Sequence, residues 1–210
     1  MSNGQLQTSV KRAYTTGFQG QIVRHGPTRG KVARITSASI GSDPALSTNR
    51  MSRVFGYSAD GSVPGGTTLA ADSDLVVVGG VDFYGILGHP ERYASYGQIG
   101  SALAPTIDLP QGTEGEMFDM FTGMVCEIFN GTAGAVTMNY GDTLAYVPVG
   151  VPGGDNTMVI PLGGLVYVPK GSAVPTGMLA VPGNPIIVTN TPLGASAVGA
   201  PVSALAIVQL

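Results

Sequence analysis

Two histidines, one cysteine and thirteen carboxylates are the side chains with which this 210-residue chain could do acid–base, nucleophilic or metal chemistry. His25 and His89 each lack the i, i+4 histidine partner or the cysteine cluster that a zinc site uses, so His25 reads as part of a polar turn and His89 as a packing or capping group beside Pro90. Cys126 lies in the apolar run Met124 to Phe129 with no histidine near it in sequence to activate the thiol, and it reads as a small buried hydrophobe. Asp72 with Asp74, or Glu114 and Glu116 with Asp119, could attract a hard cation. Neither group has calcium-loop spacing, so both read as solvated turn residues. A glycosidase pair needs no fixed spacing, because its two carboxylates converge only in space.

The segment Gly26-Pro27-Thr28-Arg29-Gly30-Lys31-Val32 is one residue short of a phosphate-binding loop and carries Val32 where such a loop needs Ser or Thr, so it reads as a basic turn. Gly56-Tyr57-Ser58-Ala59-Asp60 lacks the second glycine of a nucleophile elbow. Asn130-Gly131-Thr132 matches a glycosylation sequon but reads as a turn. No catalytic, cofactor-binding or metal-binding residue is assigned, and no cofactor is expected.

The elements that would hold any site are short strands. Met124 to Phe129 and Ala135 to Tyr140 flank Asn130-Gly131, which predicts a β-hairpin with a bulged loop. Further β-prone runs are Met51 to Tyr57, Leu144 to Val149, Met158 to Leu162, Leu165 to Val168, Met178 to Val181, Pro185 to Thr189 and Val202 to Leu210. Val-Pro turns with a following glycine, at Val151, Val168, Val174 and Val181, separate the later ones. Ser37 to Asn49 and Ser58 to Asp74 read as exposed loops. The best helical signal, His89 to Ala94, supports one or two turns. The expected fold is all-β, a β-barrel or jelly-roll-like sandwich with an extended N-terminal arm and few short helical turns. Three regions follow: residues 1–49 as a basic arm with the first strands, 50–110 as a middle β segment with a short helical turn, and 111–210 as a β-rich part forming one compact domain with the middle segment.

Composition narrows the function classes. The chain is 43% hydrophobic but only 11% charged, enough to bury a core and too few charges to cover a monomer's surface, which favours partners. Residues 1–53 carry a net +7 and the remainder −10. The sparse basic spacing and acidic remainder argue against direct nucleic-acid binding and fit docking on an acidic protein surface. The expected partner-binding residues are Lys11, Arg12, Arg24, Arg29, Lys31 and Arg34. No secretory leader pattern and no run of eighteen apolar residues is seen, so synthesis in a cytoplasm without membrane insertion is expected.

The order of segments resembles one family. Gly17-Phe18-Gln19-Gly20-Gln21-Ile22 precedes a Gly26-Pro27 turn; Phe83 to Gly97 combines a strand, a Pro-led turn and a tyrosine-containing segment; and Leu103 to Thr113 follows as a Leu-Pro crossing. This pattern is similar to the structural cement, or capsid decoration, proteins of tailed bacteriophages. The resemblance implies a non-enzymatic all-β subunit, commonly a homotrimer, bound to the major capsid protein on the outer surface of the virion and reinforcing the shell. Two rivals stand beside it: a head-fibre or glycan-binding module that contacts a host-surface glycan through exposed aromatics, and a glycan hydrolase with a dispersed carboxylate pair.

Overall fold

The computed structural model describes residues 17, 19–24, 26–37, 49–57, 62–63, 67–68, 75–88, 109, 111–149, 159–198 and 200–210. Its regular elements are β1 (Arg29–Ile35), β2 (Val54–Tyr57), β3 (Ser62–Val63), β4 (Thr67–Thr68), β5 (Leu75–Val78), β6 (Phe83–Leu87), β7 (Glu114–Met120) and β8 (Met124–Phe129). They continue as β9 (Val136–Met138), β10 (Thr143–Tyr146), β11 (Leu165–Val168), β12 (Leu179–Ala180), β13 (Ile186–Ile187), β14 (Thr191–Leu193) and β15 (Ser203–Gln209). The expected all-β class with a barrel is borne out. The helical turn expected at His89 to Ala94 lies outside the described residues, as do Lys11, Arg12, both histidines, Ser58, Asp72 and Asp74.

The first half closes into a barrel in the order β1-β5-β2-β6-β7, with β1 parallel to β5 and antiparallel to β7. Strand alternation explains how it is filled. Ala33, Ile35, Phe55, Val76, Val78, Tyr84 and Met117 form one core, while the neighbouring Val54, Ile86 and Phe118 belong to a second core shared with the other half. That half is a six-stranded sheet, β12-β10-β11-β8-β15-β13. Gly141 N–H donates to Ile187 O and Ile187 N–H donates to Asp142 O, both at 2.9 Å, so the sheet curls until β13 lies against the turn that precedes β10.

A backbone seam joins the halves. Val54 N–H donates to Gly163 O at 2.8 Å, Gly79 N–H to Val54 O at 2.9 Å, Gly163 N–H to Val147 O at 2.8 Å and Val149 N–H to Gly79 O at 2.7 Å. Gly163 has φ +67°, and a Cβ there would come within 2.6 Å of Val54 O, so only glycine allows this approach. Tyr146 adds a side-chain link: its hydroxyl is shared between Gly80 O at 3.0 Å and Val81 O at 3.2 Å.

Four local expectations are corrected. The hairpin at Asn130-Gly131 does not form: β8 pairs with β15 and β11, and β9 pairs with β14. Asn130 is fully buried, its amide donating to Gly134 O and Gly194 O at 2.7 Å each, so it turns the chain out of the sheet instead of reversing it. Residues 159–162 are not a strand; Val159 has φ 57°. Arg29 to Val32 belong to β1, since the ladder to β7 outweighs the turn signals of Gly26-Pro27 and Gly30. Glu114, Glu116 and Asp119 likewise lie on β7, not in a turn.

Candidate functional site

The β1/β7 ladder decides what the basic residues do. Its register sets Arg29 opposite Met120, Lys31 opposite Met117, Val32 opposite Glu116 and Arg34 opposite Glu114. Residues two apart on a strand share a face, so Arg29 and Lys31 converge on one carboxylate. Arg29 Nε lies 2.6 Å from Asp119 Oδ1, and Lys31 Nζ lies 2.6 Å from Asp119 Oδ2. Burial pushes the Asp119 carboxyl up, but the hydrogen bonds from Arg29 and Lys31 outweigh it and hold the group below its usual range. The hydrogen bond to Asp119 raises Arg29 in turn.

Aromatic groups complete the cluster. Lys31 Nζ sits 5.0 Å from the centroid of the Tyr84 ring, a cation–π contact, and Tyr84 O–H reaches Val32 O at 3.4 Å. Tyr57 meets Tyr84 edge to face at 5.0 Å and 87° and is half exposed. Arg29, Asp119, Lys31, Tyr84 and Tyr57 therefore form one continuous chain of contacts at a mouth of the barrel.

Of the other expected partner-binding residues, Arg34 is exposed on β1, and Arg24 is exposed with its stem lying over Gly123, where an added Cβ would come within 2.8 Å of Arg24 Cγ. The structure thus brings Arg29 and Lys31 together and sets Arg34 along the same strand. It also sets acids beside them. The basic face expected from the sequence is partly compensated.

A second cluster, unforeseen in the sequence, lies where the halves meet. Arg53 is 2% exposed; its Nη2 lies 3.2 Å from Glu127 Oε2, and its guanidinium stacks 4.8 Å from the Phe129 ring. Ser203 Oγ donates to Glu127 Oε1 at 2.9 Å, and Gln19 Nε2 donates to Met51 O at 2.6 Å and Ser52 Oγ at 2.8 Å. Breaking a buried pair by removing one partner costs about 3–5 kcal/mol, which marks this group as a structural tie. The sequence signal was faint, because Arg53 and Glu127 are 74 positions apart.

Other candidate groups have structural surroundings. Cys126 is fully buried and burial pushes its thiol up, away from nucleophilic reactivity. Asp142 is buried, accepting from Asn139 N–H at 2.8 Å and Lys170 N–H at 2.9 Å. Among the described residues, no three His, Cys, Asp or Glu side chains cluster as metal ligands, and no helix is long and apolar enough to cross a membrane.

No family model matches the chain, and no curated protein matches it. Solved structures similar to it include "The capsid of Myoviridae Phage XM1", with 12% identity, a TM-score of 0.46, and 98% of this chain and 97% of that chain covered.

Proposed function

We propose that the chain is a structural virion protein that binds the outer surface of a phage capsid and reinforces contacts between major capsid proteins. The ordered resemblance of Phe83 to Gly97 and Leu103 to Thr113 to capsid decoration proteins carries this reading. An all-β architecture agrees with it, and so does the use of ionisable groups in internal ties such as Arg53–Glu127 and the Asp119 cluster. The subunits act as homotrimers, so that three modest contacts engage the lattice together and release slowly. The anchor is electrostatic, through Lys11, Arg12, Arg24, Arg29, Lys31 and Arg34. No catalytic step and no cofactor belong to this role, and the site of action is the virion after synthesis in the host cytoplasm.

Co-sedimentation with capsids lacking the chain tests the reading. Saturable binding at a fixed number of copies per capsid is expected, together with trimers in analytical ultracentrifugation. Protein that stays in the supernatant at micromolar concentration contradicts it.

A further inference from the structure

We propose that the Arg29–Asp119–Lys31 cluster is a preorganised receptor for a carboxylate on an acidic segment of a partner protein. The proposal rests on the electrostatic anchor above and selects, from six basic residues, the pair that geometry favours.

Three observations carry it. First, the contact to Asp119 engages Arg29 through Nε at 2.6 Å, while the side chain remains 62% exposed. The two terminal nitrogens keep their donors for a forked contact with an incoming carboxylate, the geometry in which arginine binds best. Second, Lys31 is held between Asp119 Oδ2 and the Tyr84 ring and is still 40% exposed, so little side-chain freedom remains to be lost on binding. Two cations against one carboxylate leave a net positive charge, complementary to an anion. Third, the rim is apolar and exposed: Met120 (38%) stands opposite Arg29, and Tyr57 (48%) closes the other end through Tyr84. Arginine, tyrosine and methionine are the residues enriched at protein interfaces, whereas a simple counter-ion patch needs no such rim.

Asp119 gives the proposal a sign that bulk electrostatics does not share. If total charge alone mattered, Asp119→Asn would add one positive charge and tighten binding to an acidic partner. If Asp119 orients the cations, the same change releases them and weakens binding.

The test is an NMR titration of the full chain with hexaglutamate at low salt, which needs no capsid and therefore stands or falls apart from the decoration reading. Saturable shifts are expected at the Arg29 Nε–H and at the amides of Lys31, Asp119 and Tyr57, with no response to hexaglutamine. Arg29→Gln and Arg29→Lys should each raise the dissociation constant about tenfold, because lysine restores charge but not the fork. Asp119→Asn should raise it about threefold, and Arg24→Gln with Arg34→Gln should change it less than about twofold. Unchanged amide spectra elsewhere confirm that the variants are folded. Tighter binding by Asp119→Asn, shifts centred on Arg24 and Arg34, no saturable shift, or shifts at the cluster with sialyllactose but not with hexaglutamate would each overturn it.

Discussion

Ser52 takes φ 61° at the third position of a turn in which Arg53 N–H donates to Arg50 O at 3.2 Å, a place where glycine is free of strain. Serine is held there by its hydroxyl, which accepts from the part-buried Glu127 N–H at 3.1 Å and from Gln19 Nε2 at 2.8 Å. Ser52→Gly relieves about 1 kcal/mol of backbone strain but strands a donor worth about 1–3 kcal/mol, so a net loss near 1 kcal/mol is expected. Ser52→Ala keeps the strain and loses the acceptor, so chemical denaturation should order stability as wild type, then Ser52→Gly, then Ser52→Ala. A Ser52→Gly protein as stable as the wild type would remove the hydroxyl from this role. Tyr146 supplies a pH test. Burial, then the nearby Asp82 charge, push its hydroxyl from 10.0 up to about 12. The folded state therefore holds the proton more tightly than the unfolded chain, so the associated stability is complete below pH 10 and is lost as pH rises towards 12. Its size is of the order of 2 kcal/mol for this buried group. Denaturation midpoints between pH 9 and 12 should fall more steeply for the wild type than for Tyr146→Phe; parallel curves would contradict the assignment.

Strands and turns differ in how far their neighbours in sequence determine them. The turns at Val168 and Val174 were legible: Gly171 has φ +81° and Gly177 +77°, each at the third position of a turn closed by Ser172 N–H to Pro169 O and Met178 N–H to Pro175 O. Strands β8 and β11 were legible too, because their apolar runs are buried on both sides, and so was β15, whose alternate residues Ala206 and Val208 are buried. Partnership was not. Asn130-Gly131 invited a hairpin, yet β8 pairs with β15, matching Phe129 to Ser203, since that ladder buries Cys126 and Ala206 together. The Arg29 and Lys31 convergence becomes legible only once Gly26 to Val32 is read as leading into a strand, for i, i+2 spacing then places both on one face. The role of Arg53 was not legible because its partner, Glu127, comes from a distant strand. Two glycines separate local from non-local constraint. Gly171 has nothing within 4 Å of an added Cβ, so Gly171→Ala should cost only the positive-φ strain, about 1 kcal/mol. Gly163→Ala adds a collision with Val54 O in the seam, and thermal unfolding should show a loss of about 3 kcal/mol or more. Equal effects would mean that the seam yields easily.

Across the whole molecule, the separation of charge along the sequence is partly undone in space. Residues 1–53 carry +7, yet the basic side chains of β1 lie beside Glu114, Glu116 and Asp119 of β7. Exposed pairs of this kind contribute about 0–1 kcal/mol each, so the proposed capsid anchor draws on several copies acting together more than on any one. Raising salt from about 50 to 500 mM should weaken the proposed association of the protein with capsids, because exposed contacts are screened. Binding unchanged across that range would replace the electrostatic anchor with an apolar one built on exposed residues such as Val32 and Met120. The most direct measurement is a pair of cryo-electron microscopy reconstructions, one of native particles and one of particles made without this chain. If the chain decorates the capsid, the first map shows an outer-surface density at junctions between major capsid proteins, repeating with the shell's symmetry, fitting the barrel and curled sheet, and missing from the second map. Identical outer surfaces in the two maps would contradict it.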